Sequence, residues 1–330
     1  MSGVLVVVEQ RGGAWNRMSF ETLAAGQQLA AKLGTGCSAA VLAASAASLL
    51  PELSSKKLQK VFAVEHDLLA QYTADVYVAS LEQLIRREQA AFVLFPHTYQ
   101  VRDYAPALAT RFKQVLISDV IAFRASGDSG SPVFVRQLMQ GKLNADYHQT
   151  GAGPCFVSIQ AGTFHADTLE PGNAPTETFT PQLAADQIRT KPGEPFRESS
   201  QTVDLSAAPV IVSVGRGIGE QDNLPVVEEL AQALGAELAA SRPICDNGWL
   251  PMERQVGSSG QTVSPKLYVA VGISGAIQHL IGMKGSKSVL AINKDENAPI
   301  FEIADYGVVG DLFEIVPELT KAVRAAKGSA

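Results

Sequence analysis

The side chains best suited to chemistry lie in one stretch of this 330-residue chain, from Tyr268 to Asp311. An apolar run that ends at Val271 is followed by the glycine turn Gly272–Gly275 and by a helix-like segment that carries His279. A strand, a glycine turn and a helix in this order place a phosphate group at the N-terminus of the helix, where free backbone N–H groups bind anions. The stretch therefore predicts a nucleotide-like ligand.

The same turn has a second interpretation. Ser274 lies in a sequence close to the nucleophile elbow of α/β hydrolases, with Ala276 in place of the last glycine. A hydrolase of that kind needs a histidine base from a separate loop later in the chain. The last histidine, His279, lies on the same helix-like segment as Ser274. The phosphate interpretation is therefore favoured, and the hydrolase is kept as a minor alternative.

Other polar residues directly follow other strand-like runs, at positions where open α/β sheets bind ligands. Arg216 stands between two glycines, and a guanidinium beside flexible backbone suits a bidentate phosphate contact. Arg242 follows Ser241 and either neutralises an anion or forms a surface salt bridge. Asn293 and Asp311 either bind a ribose hydroxyl or cap a turn.

A polar loop, Gln255–Gly260, separates two of these strand-like runs. Its glycines, hydroxyls and backbone amides can contact a ligand. A flexible turn has the same composition, so the loop alone does not decide between the two interpretations.

Composition excludes several classes of function. The net charge of −6 argues against a nucleic-acid surface. The three cysteines, Cys37, Cys155 and Cys245, form no disulfide framework, and neither they nor the histidines have the spacing of a metal site. No run approaches about 18 apolar residues, so no direct membrane insertion is expected. The N-terminus has neither signal-peptide nor transit-peptide character, which predicts a cytoplasmic, bacterial protein.

Strand-like and helix-like segments alternate through the first part of the chain, which predicts a doubly wound α/β domain. We expect short strands with polar turns, as in an antiparallel extension, at Val120–Arg124, Val133–Leu138, Gly141–Tyr147 and Cys155–Ile159. The other predicted strands are Val4–Val8, Ala39–Leu42, Val61–Val64, Val76–Val78 and Ala91–Phe95, and the predicted helices are Ser19–Leu33, Leu81–Gln89 and Asp103–Phe112.

A Pro-rich and apolar-poor stretch then separates this domain from a second, parallel α/β domain. The predicted boundaries are residues 1–190 for the first domain, 191–208 for the linker and 209–330 for the second domain. Predicted strands of the second domain are Val210–Val214, Glu237–Ala240, Tyr268–Val271, Val289–Ile292 and Gly307–Gly310, with helices at Leu224–Leu234 and Leu312–Ala326.

The second domain resembles the α subunits of electron transfer flavoproteins, the family that includes FixB proteins. The resemblance spans about residues 210–317 and is carried by an ordered set of segments: VGRG, ASRP, the block from RQVGSSG through AVGISGAIQHLIGM to INKDENAPIF, and ADYGVVGDLFEIVPEL. The N-terminal half matches more loosely, through its LVVVEQ opening and its strand that ends in FPHT. An ordered block of this length is far more specific than any one glycine motif.

The resemblance implies that the second domain binds FAD and that the first has a fold like that of adenine-nucleotide hydrolases, holds no FAD and packs on a partner. Arg216 is implied near the phosphates, Arg242 against the isoalloxazine, and the Val256–Ser259 loop at the N5 and O4 side. Ser259 keeps a hydroxyl common in the family, whereas Ser258 stands where glutamine is common. The implied FAD contacts are Arg216, Ser241, Arg242, Val256, Gly257, Ser258, Ser259, Ser274, Gly275, Ala276, Ile277, Gln278, His279, Asn293, Asp311 and Leu312, of which Arg242, Ser259 and His279 tune the flavin.

The resemblance also implies a role and partners. The chain would pair with a β subunit that holds AMP or a second FAD, take single electrons from dehydrogenases such as acyl-CoA dehydrogenases, as in fatty acid oxidation, and pass them to a quinone oxidoreductase. As an electron carrier it would turn over no organic substrate and have no catalytic residues of its own. Two alternatives stay open: a subunit of an electron-bifurcating flavoprotein that oxidises NADH, and a nucleotide-binding regulatory module without redox work.

Overall fold

The computed structural model describes residues 3–125, 132–139, 141–184, 186, 188–193, 205 and 208–328. The chain divides into two compact units, residues 1–195 and residues 196–330. Most of the predicted linker, residues 191–208, lies outside the described residues, so its bounds stay a prediction. No helix among the described residues is long and apolar enough to cross a membrane.

The first unit contains a mixed sheet in which the described strands follow the order β11-β5-β4-β1-β6-β10-β7-β8-β9. Its strands are β1 (Val4–Val8), β2 (Gln10–Arg11), β3 (Ala14–Trp15), β4 (Cys37–Ala43), β5 (Lys60–Glu65), β6 (Phe92–Pro96), β7 (Leu116–Ala125), β8 (Pro132–Leu138), β9 (Leu143–Tyr147), β10 (Cys155–Ile159) and β11 (Thr176–Phe179), of which β2 and β3 form a separate hairpin. Its helices are α1 (Met18–Leu33), α2 (Leu50–Ser54), α3 (Ala74–Glu88) and α4 (Tyr99–Arg111).

Strands β11 to β7 pair in parallel, and β8 and β9 extend the sheet in antiparallel fashion. Every residue of β1 and of β10 is buried, which explains why both read as continuous apolar runs: strands in the middle of a parallel sheet are covered on both faces. Helix α1 packs with one core cluster and helices α3 and α4 with the other, so the predicted doubly wound fold is confirmed.

Two expectations for this unit are wrong. Val76–Val78 lies in helix α3, because these three apolar residues begin a helical pattern that continues through Leu81 and Ile85. Cys155–Ile159 belongs to the parallel core, between β6 and β7, and not to the antiparallel extension. Its position depends on pairing with residues far away in sequence, and a strand's own residues do not reveal that pairing.

The second unit is built on a parallel sheet in which the described strands follow the order β13-β12-β14-β15-β16. Its strands are β12 (Val210–Val214), β13 (Glu237–Ala240), β14 (Leu267–Val271), β15 (Val289–Asn293) and β16 (Tyr306–Val309), and its helices are α5 (Leu224–Leu234), α6 (Arg242–Asp246), α7 (Ile277–Met283) and α8 (Leu312–Gly328).

Local sequence explains several boundaries in this unit. Pro225 lies in the first turn of α5, where its missing N–H costs nothing, and Gly235 ends that helix in the left-handed conformation at φ +68°. Strands β12 and β14 are the middle of the sheet and are almost fully buried. The predicted parallel α/β fold of the second half is confirmed.

Candidate functional site

The register of the second sheet brings the predicted site segments to one edge, where the strands reach their carboxyl ends; we call it the carboxyl edge. Val214 lies opposite both Ala240 and Val271, and Val271 lies opposite Ile292. On the next strand, Asn293 lies opposite Val309. The loops that follow these strands therefore start side by side, and they contain Arg216, Ser241, Arg242, Ser274, Asn293 and Asp311.

Two of these loops interlock through glycines. Gly272 and Gly275 have positive φ angles of +62° and +85°, which favour glycine. A Cβ atom on Gly215 would lie 2.4 Å from the Gly272 carbonyl oxygen, and one on Gly217 would lie 2.6 Å from the Gly272 Cα. A Cβ on Gly275 would lie 2.2 Å from the backbone nitrogen of Ile300. No side chain fits at these positions, so backbone alone forms the centre of the edge.

The loop Val256–Ser259 is fixed against the start of α7. The Ser258 backbone N–H donates to the Gln278 carbonyl oxygen over 2.8 Å. Gly257 has φ +146°, and a Cβ atom there would lie 2.9 Å from the same oxygen. A Cβ on Gly282 would lie 2.4 Å from the Gly257 nitrogen. The loop therefore closes tightly on the helix, and it leaves the side chains of Ser258 and Ser259 exposed.

Helix α7 presents its first turn at the same edge. Ser274, Ala276, Ile277 and Gln278 are exposed, and the exposed fraction of Ile277 is 54%. An exposed isoleucine beside exposed backbone suits contact with a large ligand that has an apolar part.

The two arginines of the carboxyl edge differ in their surroundings. Arg216 is exposed at the start of a short 3₁₀ turn, and its guanidinium forms no ion pair with another described residue. Arg242 begins α6, and its Nε lies 3.2 Å from Oδ2 of Asp246, one helical turn later. The exposed fractions of the Arg242 and Asp246 side chains are 66% and 50%, so their ion pair is weak and leaves Arg242 able to turn toward a ligand.

Asn293 and Asp311 serve the backbone of the edge. The Asn293 side-chain amide donates to the Ile273 carbonyl oxygen over 2.9 Å, and its own oxygen accepts from the Asp295 N–H. Asp311 accepts from the Phe313 N–H over 2.8 Å and so caps the start of α8. Leu312, the first residue of that helix, is buried. Asn293 and Asp311 therefore have the capping roles expected of them, and the Asp311 side chain is still exposed.

His279 is the buried titratable group of the site. Its side chain is 6% exposed, and Nε2 lies 2.9 Å from the Tyr268 hydroxyl. Burial lowers the pKa of the imidazole to about 4, and a contact with the Val256 backbone opposes that shift. The low pKa favours a neutral ring near pH 7. Nδ1 is buried and makes no direct hydrogen bond to a described residue, and the Val256 backbone is the neighbouring polar group that interacts with the ring. This environment favours a hydrogen-bonding role over a cationic one.

Two residues that are absent from the implied FAD contacts lie at the candidate site. Tyr268 is a fully buried member of β14 and holds His279, although nothing in an apolar strand marks its hydroxyl as functional. Gln255 is 1% exposed and donates from Nε2 to the Ser259 hydroxyl over 2.9 Å, while its Oε1 makes no hydrogen bond within the part of the chain that the structure describes. Its place at the start of the polar loop was the available signal.

The residues present fit the FAD that the resemblance implies. The interlocked glycines leave backbone, and no side chains, where a pyrophosphate needs close approach. Nδ1 of His279 and Oε1 of Gln255 are buried and make no hydrogen bond to a described residue, and such atoms cost free energy unless another group satisfies them. A flavin ring has both hydrogen-bond donors and acceptors and can satisfy such atoms.

Two family models match the chain. Residues 4–184 match the electron transfer flavoprotein domain, and residues 204–284 match the electron transfer flavoprotein FAD-binding domain. The second match contains the glycine turn and the polar loop described above and extends through α7.

Curated relatives match over nearly the whole chain. The electron transfer flavoprotein subunit alpha of Syntrophomonas wolfei is 38% identical over 98% of this chain and 100% of its own length. The subunit of the same name from Bacillus subtilis is 39% identical over 96% of both chains. That of Mycobacterium tuberculosis is 38% identical over 99% of this chain and 100% of its own.

Proposed function

The chain belongs to the α-subunit family of electron transfer flavoproteins and binds FAD, and we propose that the carboxyl edge of its second sheet is where the cofactor lies. The observation that supports this most directly is the interlocked glycine centre, Gly215, Gly217, Gly272 and Gly275, where no Cβ atom fits. Loops that start side by side around it supply the polar groups.

Each segment has a proposed share of the cofactor. Arg216 and the turn Ser274–His279 bind the pyrophosphate and the ring end, because exposed cation and exposed backbone lie there together. Asn293, Asp311 and Leu312 bind the ribose and adenosine end. The loop Val256–Ser259 contacts the N5 and O4 side of the flavin, and Ser241 and Arg242 lie along the ring.

FAD supplies the redox chemistry when it is bound, and the protein sets the electrostatic environment of the ring. Arg242 places a positive charge beside it. His279 offers a hydrogen bond from a neutral ring that is shielded from water, where such a bond is stronger than in solvent. Both groups favour negative charge on the flavin and so raise its potential.

The proposed role is that of an electron carrier, not of an enzyme with an organic substrate. It works as a heterodimer with a β subunit that holds AMP or a second FAD, in the cytoplasm of a bacterium. Electrons arrive from dehydrogenases and leave to a quinone oxidoreductase. The names of the relatives, each a subunit alpha, support the heterodimer.

The test is to produce the chain together with its β subunit and to measure bound flavin. We expect a yellow heterodimer whose released cofactor is FAD, and the colour should bleach stepwise with a reduced acyl-CoA dehydrogenase as donor. A heterodimer that stays colourless after added FAD would contradict the proposal. Rapid bleaching by NADH alone would instead favour the bifurcating alternative.

A further inference from the structure

Gln255 begins the polar loop and closes its base. The Gln261 backbone N–H donates to the Gln255 carbonyl oxygen over 2.7 Å, across the base of the loop Val256–Gly260. The Val256 N–H donates to the Ala240 carbonyl oxygen over 2.9 Å, and Ala240 is the last residue of strand β13. The base of the loop is therefore fixed to the carboxyl edge of the sheet.

The tip of the loop is held by a side chain. Ser259 is exposed there, and the Gln255 side chain reaches across the loop to it, with Nε2 2.9 Å from the Ser259 hydroxyl oxygen. Gln255 is only 1% exposed, so its amide lies in the interior of the unit. A Cβ atom on Gly260 would lie 2.4 Å from the Gln255 carbonyl oxygen and 3.0 Å from its Cγ, so the chain packs closely around the glutamine. The amide therefore has little freedom to move.

This contact fixes the direction of the serine hydroxyl. An exposed serine side chain can rotate among three staggered rotamers, and a hydrogen bond to a buried group selects one of them. An amide turned by 180° would place Oε1 where Nε2 lies, and the hydroxyl would be held in the same way. A hydroxyl has one donor and two acceptor sites, so the contact with the amide leaves sites for a partner on the exposed side.

We propose that Gln255 is a positioning residue that holds the Ser259 hydroxyl in place for the N5 and O4 side of the flavin. Its link to the ring rests on the proposed function, whereas the contact itself is a property of this chain alone. Holding the hydroxyl before the cofactor binds matters because a mobile group loses part of its interaction to rotation and to water. With Nε2 as donor to the hydroxyl oxygen, the hydroxyl proton is free for the ring and favours the negative charge that the ring gains on reduction.

The first test measures the contact without changing Gln255. Nitrogen NMR of the glutamine side-chain amides, in the full chain assembled with unlabelled β subunit, reports on their hydrogen bonds. Ser259→Ala should shift the Gln255 amide resonance. It should leave the resonance of Gln261 in place, because Nε2 of Gln261 donates to the Glu253 carbonyl oxygen. An unmoved Gln255 resonance would overturn the proposal.

The second test measures the reduction of bound FAD against a redox dye. Gln255→Met removes the amide at nearly the same side-chain length, and we expect about a fivefold shift of the reduction equilibrium toward oxidised flavin, the effect of one hydrogen bond. Gln261→Met is the matched control, because it removes an amide at the base of the same loop that binds the Glu253 carbonyl oxygen instead. It should give no shift. No shift for Gln255→Met, or an equal shift in both variants, would contradict the positioning role.

Ser259→Ala supplies the background that separates positioning from other effects of Gln255. If Gln255 acts on the ring through the hydroxyl, most of the fivefold shift should be absent when Gln255→Met is added to Ser259→Ala. A full fivefold shift in that background would overturn the proposal. Gln255→Asn keeps an amide that is one carbon too short to reach, and it should behave as Gln255→Met does, so the comparison does not depend on one variant folding. Absence of FAD from the unaltered heterodimer would contradict the proposed function and leave the NMR test in force.

Discussion

The carboxyl edges of the two parallel sheets follow the same topological rule but differ in what occupies them. In the first unit, the Thr98 hydroxyl caps helix α4 and donates to the Glu9 carboxylate, which also accepts from the Asn16 amide. The Ser19 hydroxyl binds both the N–H and the carbonyl of Glu9. In the second unit the corresponding edge is built from glycine backbone, and the exposed Arg216 beside it forms no ion pair with another described residue.

The first edge satisfies its own polar groups. A helix N-terminus favours negative charge, and the carboxylate of Glu9 provides it there from within the chain. His97, at the end of β6, is likewise bound to the Ser158 hydroxyl at 2.9 Å. At the second edge, Gln255 Oε1 and His279 Nδ1 are buried and make no hydrogen bond to a described residue. The same carboxyl edge thus occurs in both sheets. Side chains of the chain itself bind one another at the first edge, whereas the second edge keeps polar groups available for a ligand.

The largest expected effect comes from a side chain placed in the glycine turn of the second edge. Gly275→Ala places a Cβ atom 2.2 Å from the Ile300 nitrogen at a φ of +85°, so the turn must move. We expect bound FAD to be lost from the heterodimer and the free energy of unfolding to fall by about 3 kcal/mol. Flavin absorbance and denaturant unfolding measure the two effects.

Gly248→Ala is the matched control for that change. Gly248 has a similar φ of +72°, but a Cβ atom there would meet nothing within 4 Å. It should cost only the backbone strain of about 1 kcal/mol and keep FAD bound. Equal loss of FAD in both variants would mean that backbone strain explains the effect, and not the clash with Ile300.

The second prediction concerns pH and compares the buried His279 with the half-buried His97 of the first unit. Burial lowers the pKa of His279 from 6.5 to about 4, so the unfolded chain binds the proton at higher pH than the folded chain does. Stability is therefore complete above about pH 6.5 and falls as the pH drops toward 4, by up to about 3 kcal/mol. Chemical unfolding between pH 7 and pH 4 measures this loss.

His97 sharpens that test because burial lowers its pKa too, but the Asp119 carboxylate opposes the shift. His279→Gln should therefore flatten the pH dependence more than His97→Gln does. A larger effect of His97→Gln would show that the histidine with the larger pKa shift lies in the first unit.

The sequence predicted the second unit well because its signals are local. Apolar runs such as Val210–Val214 end at glycines, and Pro225 and Gly235 mark the helix between them. It failed for Val76–Val78 because three residues are too few to separate a strand from a helical turn. It failed for the place of Cys155–Ile159 because strand order depends on long-range pairing.

The same limit applies to the site. Each loop residue of the carboxyl edge could be chosen from its place after an apolar run, and parallel register then brings these residues together. The contact of Tyr268 with His279 joins a strand and a helix, and no spacing rule predicts it. The closure of the first edge by Glu9 was also missed, because its partner Thr98 lies 89 positions away.

The third prediction removes Arg216, the exposed arginine between two glycines at the second edge. Arg216→Gln should weaken FAD binding about tenfold, because a phosphate contact from an exposed guanidinium contributes about 1–2 kcal/mol. Arg324→Gln is its control, since Arg324 carries the same charge in the same unit but pairs with Glu229 on helix α5. Titration of FAD into the flavin-free heterodimer measures both affinities. Equal weakening in the two variants would mean that the loss of net charge, and not a contact of Arg216, explains the effect.

The smallest expected effect is on the potential of the bound flavin. Arg242→Gln removes a positive charge beside the ring, and at the exposure of this side chain we expect the two-electron potential to fall by about 20 mV, which corresponds to about 1 kcal/mol. Asp246→Asn should leave the potential unchanged or raise it, because it frees Arg242 from its weak pair. Spectroelectrochemical titration of the two heterodimers measures the difference. Opposite signs for the two variants would locate the charge at the flavin, whereas a lower potential in both would mean that the pair itself, as a rigid part of helix α6, supports the second edge.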